Sequence, residues 1–150
     1  MVDPAFSPCL QALQEALQKG GMAPKDQSGV LKAMEPFSKS MEGLERLFDL
    51  SLDLLCIAGT NGVFRRVNPA FEKTLGYSAE ELVSRPFFDF IHPNDVELTR
   101  AKMEKLQMGL DVVRFENRYR KKDGSWARLS WTCPAPPIGS DVIYAVARVM

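Results

Sequence analysis

The stretch Gly59 to Tyr77, read GTNGVFRRVNPAFEKTLGY, does most to limit what this chain can fold into. Asn61-Gly62 is a turn dipeptide that accepts positive φ at both positions, as a type I′ hairpin requires. Val63 to Val67 follow as a short strand, with Val63, Arg65 and Val67 on one side and Phe64 and Arg66 on the other. Asn68-Pro69 then opens a helix. Asn is a favoured N-cap, and Pro at the first helical position gives up only an N–H that had no partner there. Ala70, Phe71 and Leu75 share one face of that helix, and Gly76 is placed to end it. A hairpin strand that feeds straight into a short helix needs the rest of a sheet from its neighbours.

Upstream, the pattern is helical. Phe6, Leu10, Leu13 and Leu17 recur on one helix face over residues 5–18, and Gly20-Gly21 stops that helix. Residues 22–29 read as a flexible connection. Val30, Met34, Phe37, Met41, Leu44 and Phe48 then keep the alternating four–three spacing of a heptad seam. Pro36 interrupts it, predicting a kink or a fresh helix from Pro36 to Leu50. Residues 1–50 thus form a region of amphipathic helices ahead of a compact domain at 51–150. Their apolar stripes need cover, either from their own domain or from a second copy in a homodimer.

Downstream, Leu54 to Ala58 is a strand that pairs through Asn61-Gly62. Ser78 with Glu81 is a capping box for a short helix over 79–84. Phe87, Phe88, Phe90 and Ile91 form a dense apolar cluster on a single helical turn. His92-Pro93 starts a longer helix whose inward face is Val96, Thr99, Met103, Leu106 and Leu110. The period then changes from helix to strand. Val113, Phe115, Asn117 and Tyr119 alternate with charged residues, and Lys122-Asp123-Gly124-Ser125 is a hairpin turn. Leu129, Trp131 and Cys133 lie on the return strand, and Val142 to Val149 is the last. Strands, then helices, then strands indicate an α+β fold with one antiparallel sheet carrying its helices on one face.

Bulk properties narrow the function. Nineteen basic and 19 acidic residues balance, which argues against a non-specific nucleic-acid binder. No apolar run is long enough to span a membrane, and the start Met-Val-Asp-Pro is not that of a secretory signal. Cys9, Cys56 and Cys133 are odd in number and widely spaced, which fits free thiols in a reducing cytoplasm. A single histidine excludes a two-histidine metal site, and His92 before Pro93 fits a helix cap better than a catalytic base. No catalytic set is evident, so the chain reads as a non-enzyme.

Several of these segments together resemble a bacterial PAS domain: Asp53 to Gly59, Asn61-Gly62, Val67 to Phe71, Leu75 to Ser78, Glu80 to Leu82, His92-Pro93 with Asp95, Arg118 to Gly124 and Tyr144 to Arg148. The ordered set over about residues 45–150 carries the resemblance. It implies a five-stranded antiparallel sheet with flanking helices and a sensory or interaction role, with a signalling partner or a downstream effector such as a histidine kinase or cyclase. It also implies dimerisation through an amphipathic helix before the first strand, the place held by Pro36 to Leu50. Val149-Met150 stand where such domains usually continue with Asp-Ile-Thr, so the sequence is expected to be either a piece of a longer sensor or a free-standing module.

Two cofactor types are not expected on this resemblance. The haem type carries its histidine in the long helix, and residues 93–107 hold none. The flavin photoreceptor type carries a cysteine near the short helices, and residues 83–87 hold none. What remains is an apolar interior of Cys56, Phe71, Leu75, Phe90, Val96, Thr99, Met103, Phe115, Asn117, Tyr119, Leu129, Trp131 and Tyr144. These residues either line a ligand pocket or simply fill the core. Asn117 favours a pocket if it is buried, since its amide then needs partners that a polar ligand supplies. A ligand sensor and a ligand-free interaction adaptor both fit.

Overall fold

The computed structural model describes residues 15–16, 19–21 and 24–150. The amphipathic pattern at Phe6, Leu10, Leu13 and Leu17 lies outside the described residues. The chain divides into two compact units, residues 1–48 and 49–150.

In the first unit, helix α1 (Pro24–Leu50) runs through with Pro36 inside it. One expectation changes here. Residues 24–29 are helical rather than a flexible connection, with Pro24 at the first position, where its missing N–H is no loss. Of the two alternatives at Pro36, a kink or a fresh helix, no fresh helix starts there. A proline removes one donor from the ladder, and the other bonds of a helix of 27 residues carry it past that gap. Of the seam residues, Phe37, Met41 and Leu44 are 71%, 45% and 64% exposed, while Val30, Met34 and Phe48 are half-buried.

The second unit is built on five strands: β1 (Leu54–Gly59), β2 (Phe64–Val67), β3 (Val112–Arg120), β4 (Trp126–Cys133) and β5 (Val142–Val149). They form one antiparallel sheet in the order β2-β1-β5-β4-β3. Between β2 and β3 come α2 (Pro69–Leu75), α3 (Ala79–Val83), single 3-10 turns at Phe87–Phe90 and Pro93–Asp95, and α4 (Val96–Gln107). The first and last strands in sequence sit side by side, so β5 closes the sheet onto β1 along Leu54↔Ala147 to Gly59↔Val142.

Local chemistry explains these elements, with corrections. The β1–β2 loop is three residues long, not two. The Gly59 N–H donates to the Val63 carbonyl at 2.9 Å, and the Gly62 N–H donates to the Gly59 carbonyl at 3.0 Å. Such a loop needs a single left-handed residue, which is Gly62 at φ 84°; Asn61 does not take positive φ, contrary to a type I′ turn. The β3–β4 turn repeats this arrangement with Gly124 at φ 89°.

β2 also departs from strict alternation. Cys56 pairs with Val67, Ile57 with Arg66 and Ala58 with Phe64, so Arg65 is the extra residue of a bulge. Phe64 and Val67 therefore both point into the core, while Arg65 turns out to pair with Asp141.

α2 buries Ala70, Phe71 and Leu75 and ends at Gly76, φ 81°, whose N–H donates to the Glu72 carbonyl. The capping box forms: Ser78 Oγ accepts from the Glu81 N–H at 3.2 Å, and Glu81 Oε2 accepts from the Ser78 N–H at 2.8 Å. Asn68 does not cap α2 with its side chain. Fully buried, it instead reaches β1, where Oδ1 accepts from the Leu55 N–H at 3.0 Å and Nδ2 donates to the Asp53 carbonyl at 2.9 Å. α4 buries Thr99 and Leu106 but ends at Gln107, so Leu110 lies beyond it, exposed, rather than on its inward face.

Candidate functional site

α4 lies over the inner face of the sheet and leaves an apolar cavity of about 50 Å³ beneath it. Its wall is Thr99, Lys102, Met103 and Leu106 from α4, Phe87 from the first 3-10 turn, Ala58 from β1, Val112, Phe115 and Asn117 from β3, Trp131 and Cys133 from β4, and Ile143 and Ala145 from β5. The spacing Thr99, Lys102, Met103, Leu106 is one face of a helix, and the strand residues, apart from Val112 beyond a bulge, are alternate positions on one side of the pleat.

The polar groups in this wall satisfy one another. Trp131 Nε1 donates to Asn117 Oδ1 at 2.8 Å, and Asn117 Nδ2 donates to Thr99 Oγ1 at 3.2 Å. The Thr99 hydroxyl in turn donates to the Asp95 carbonyl at 2.8 Å. No buried side-chain polar atom among the described residues lacks a partner. Asn117 is therefore buried, as the pocket reading required, but its partners come from the protein itself. The chain of bonds ties β4 to β3 and β3 to the first turn of α4, which fixes the cavity's width at that end.

The start of α4 is held by a second link. Asp95 Oδ2 accepts from the Arg118 N–H at 2.9 Å and from Arg118 Nε at 2.8 Å, and Oδ1 accepts from Arg118 Nη2 at 2.7 Å. These bonds hold the Asp95 carboxyl below its ordinary range. His92 caps the adjoining 3-10 turn, its Nδ1 accepting from the Asn94 N–H at 3.1 Å, and its ring packs on Trp126.

Cys56 and Cys133 are both buried and free. Burial pushes the Cys133 thiol up to about 12; burial, and then the nearby Cys133, push Cys56 up as well. Both thiols are thus neutral at physiological pH. Cys56 faces Ala145, and Thr132 faces Val146, so the two cysteines flank β5 from opposite sides. Two strand spacings are about 9.5 Å, too far for a disulfide. No group of three or more His, Cys, Asp or Glu among the described residues is arranged to hold a metal ion.

The expected interior residues divide three ways. Thr99, Met103, Phe115, Asn117 and Trp131 line the cavity. Cys56, Phe71, Leu75, Phe90, Tyr119 and Leu129 are buried in the surrounding core without lining it, and Val96 packs half-buried against them. Tyr144 is a correction: it is 59% exposed on the other face of the sheet, and its neighbours Ile143 and Ala145 point inward. Every residue from Val142 to Ala147 except Tyr144 is aliphatic, so both phases of β5 look alike in sequence. Lys102 and Leu106 continue the helix face of Thr99 and Met103, a spacing by which the sequence identifies them. Val112 is hidden by a bulge. Val112 pairs with Cys133 and Phe115 with Trp131, leaving Val113 exposed and Arg114 at φ 52°.

With fold and cavity in view, comparison with known proteins decides the family. Residues 64–135 match the family model described as the PAS fold. The PAS domain of an HTR-like protein from Haloarcula marismortui superposes with a TM-score of 0.68 at 23% identity, covering 79% of this chain and 98% of that one. This chain carries a PAS domain. A domain of a sensory box sensor histidine kinase/response regulator from Geobacter sulfurreducens shares the fold with a TM-score of 0.64 at 19% identity, over 77% of this chain and 98% of its own. Among curated relatives, the chain is 34% identical over 70 residues to White collar 2 protein of Neurospora crassa, 47% of this chain and 13% of that protein. It is 30% identical over 98 residues to the probable diguanylate cyclase DgcE of Escherichia coli, 63% of this chain and 9% of that protein. The shared part is thus a small share of each curated relative. No helix among the described residues is long and apolar enough to cross a membrane.

Proposed function

We propose that this chain is a non-catalytic, cytoplasmic signalling module that takes a small apolar ligand under α4 and works as a homodimer paired through α1. The observation that carries the ligand half is the cavity itself, bordered by α4 and four strands and lined almost wholly by carbon. An occupant there touches both the helix and the sheet. It favours one spacing of α4 over another to the extent that it binds one of them more tightly. The dimer half is supported by the exposed heptad positions Phe37, Met41 and Leu44, whose spacing suits a second copy of the same helix. Output then passes to a signalling partner or an effector module. Neither haem nor flavin is part of this reading.

A ligand-free adaptor is the second reading. It is favoured by the tight aromatic packing around the cavity, with Phe71 and Tyr119 rings 6.3 and 5.6 Å from Trp131. Native mass spectrometry with an absorption spectrum of the purified chain separates the two. Excess mass that is lost on denaturation supports the ligand sensor; clean mass after exposure to cell extract supports the adaptor.

A further inference from the structure

Among the described residues, Lys102 is the only charged side chain in the cavity wall. It is half-buried, and its ammonium lies over the ring of Phe115, 5.7 Å from the centroid. Among the described residues no carboxylate comes within ion-pair distance of it, and Asp95, Glu116 and Glu81 are all engaged elsewhere. The other polar groups of the wall, on Thr99, Asn117 and Trp131, are committed to one another. The cavity surface is therefore carbon, with Lys102 in its wall and the Lys102 ammonium beside the ring of Phe115, which also lines it.

Resting on the reading of this cavity as a ligand site, we propose that the ligand is a short-chain aliphatic carboxylate, its tail under α4 and its carboxylate on Lys102 Nζ. Size sets the tail. A cavity of roughly 150 Å³ accepts benzene, so one of about 50 Å³ takes a tail of about two or three carbons. Charge sets the head. A lysine stem buries along apolar wall and keeps its ammonium at the edge, where one anionic oxygen pair meets it. A phosphate would want several donors, and the wall offers one. Desolvation sets the specificity, because a polar tail would find no free partner among Thr99, Asn117 and Trp131.

The test is a titration of the isotope-labelled 150-residue chain, followed by amide and indole NMR signals, with butyrate, with butanol as its neutral counterpart, and with xenon as a purely apolar probe. Butyrate is expected to shift the Met103 and Phe115 amides and the Trp131 indole saturably. Butanol is expected to bind about tenfold more weakly, a factor that a single charge-assisted contact supplies. Lys102→Met should weaken butyrate to the butanol level, and Lys102→Arg should retain most of the binding. If xenon shifts these signals but butyrate does not, or if Lys102→Met binds butyrate unchanged, the carboxylate assignment is wrong and the cavity remains a ligand site. If neither xenon nor butyrate shifts them, the ligand-site reading fails as well.

Discussion

Asn68 and Leu55 hold each other by backbone and side chain together: the Asn68 N–H donates to the Leu55 carbonyl at 3.0 Å, and Asn68 Oδ1 accepts from the Leu55 N–H at 3.0 Å. The residue that opens α2 is thereby locked to the first strand, so the helical side of the domain is registered to the sheet at one point. Asn68→Ala leaves the Leu55 N–H and the Asp53 carbonyl without these partners in a buried setting. The expected cost is about 1–3 kcal/mol, read as a lower denaturation midpoint with an unchanged slope. Asn68→Asp keeps the acceptor for Leu55 but loses the donor to Asp53, and should fall no less far, since it also buries a charge.

The Trp131–Asn117 bond has a testable signature of coupling. Trp131→Phe removes the donor and leaves Asn117 Oδ1 buried without it, an expected loss of about 1–3 kcal/mol besides the lost ring volume. Asn117→Leu orphans the Trp131 N–H and should cost a similar amount. The double variant leaves neither group orphaned, because Thr99 keeps its own bond to the Asp95 carbonyl. Its destabilisation should be smaller than the sum of the two single variants, measured by a double-mutant cycle in denaturant.

These two residues also show what is legible in the chain and what is not. Plain alternation places Phe115, Asn117, Leu129 and Trp131 inside. The capping box at Ser78 and Glu81 and the stop at Gly76 are readable because each depends on neighbours in sequence. Legibility ends where structure depends on partners far along the chain. The Arg65 and Val113–Arg114 bulges reset the strand phase, which no local pattern announces, and so Phe64 and Val112 turn inward. Asn68 reads as a cap because Asn-Pro is a local signal, yet the strand 13 residues away outcompetes the helix end for its side chain. Tyr144 reads as interior because β5 offers no contrast between its two faces.

The Asp95–Arg118 pair sets a pH dependence. The Asp95 carboxyl is held below its ordinary value of 3.8, chiefly by its hydrogen bonds from the Arg118 side chain. A depressed carboxyl contributes stability that is fully present above the unfolded-state value and is lost as pH falls through the folded-state one. The contribution should thus be whole at about pH 6 and fade below about pH 4. Asp95→Asn should lower stability near neutral pH and flatten the acid limb of the stability–pH curve, since it no longer has that proton to take up.

The buried thiols should be inert in the folded protein. In a Cys9→Ser variant, Cys56 and Cys133 are expected to resist a thiol reagent at about pH 8 and to react together once denaturant unfolds the domain, because both are neutral and buried. Rapid labelling of either one under native conditions would show that the core opens far more readily than its packing implies.

The pairing of two chains through α1 is tested most directly by sedimentation velocity on the 150-residue chain and its Phe37→Asp, Leu44→Asp variant, in which two exposed seam positions become charged. The expected result is a wild-type dimer and a folded, monomeric variant. A wild type that stays monomeric at high concentration, or a variant that stays dimeric, would contradict the account.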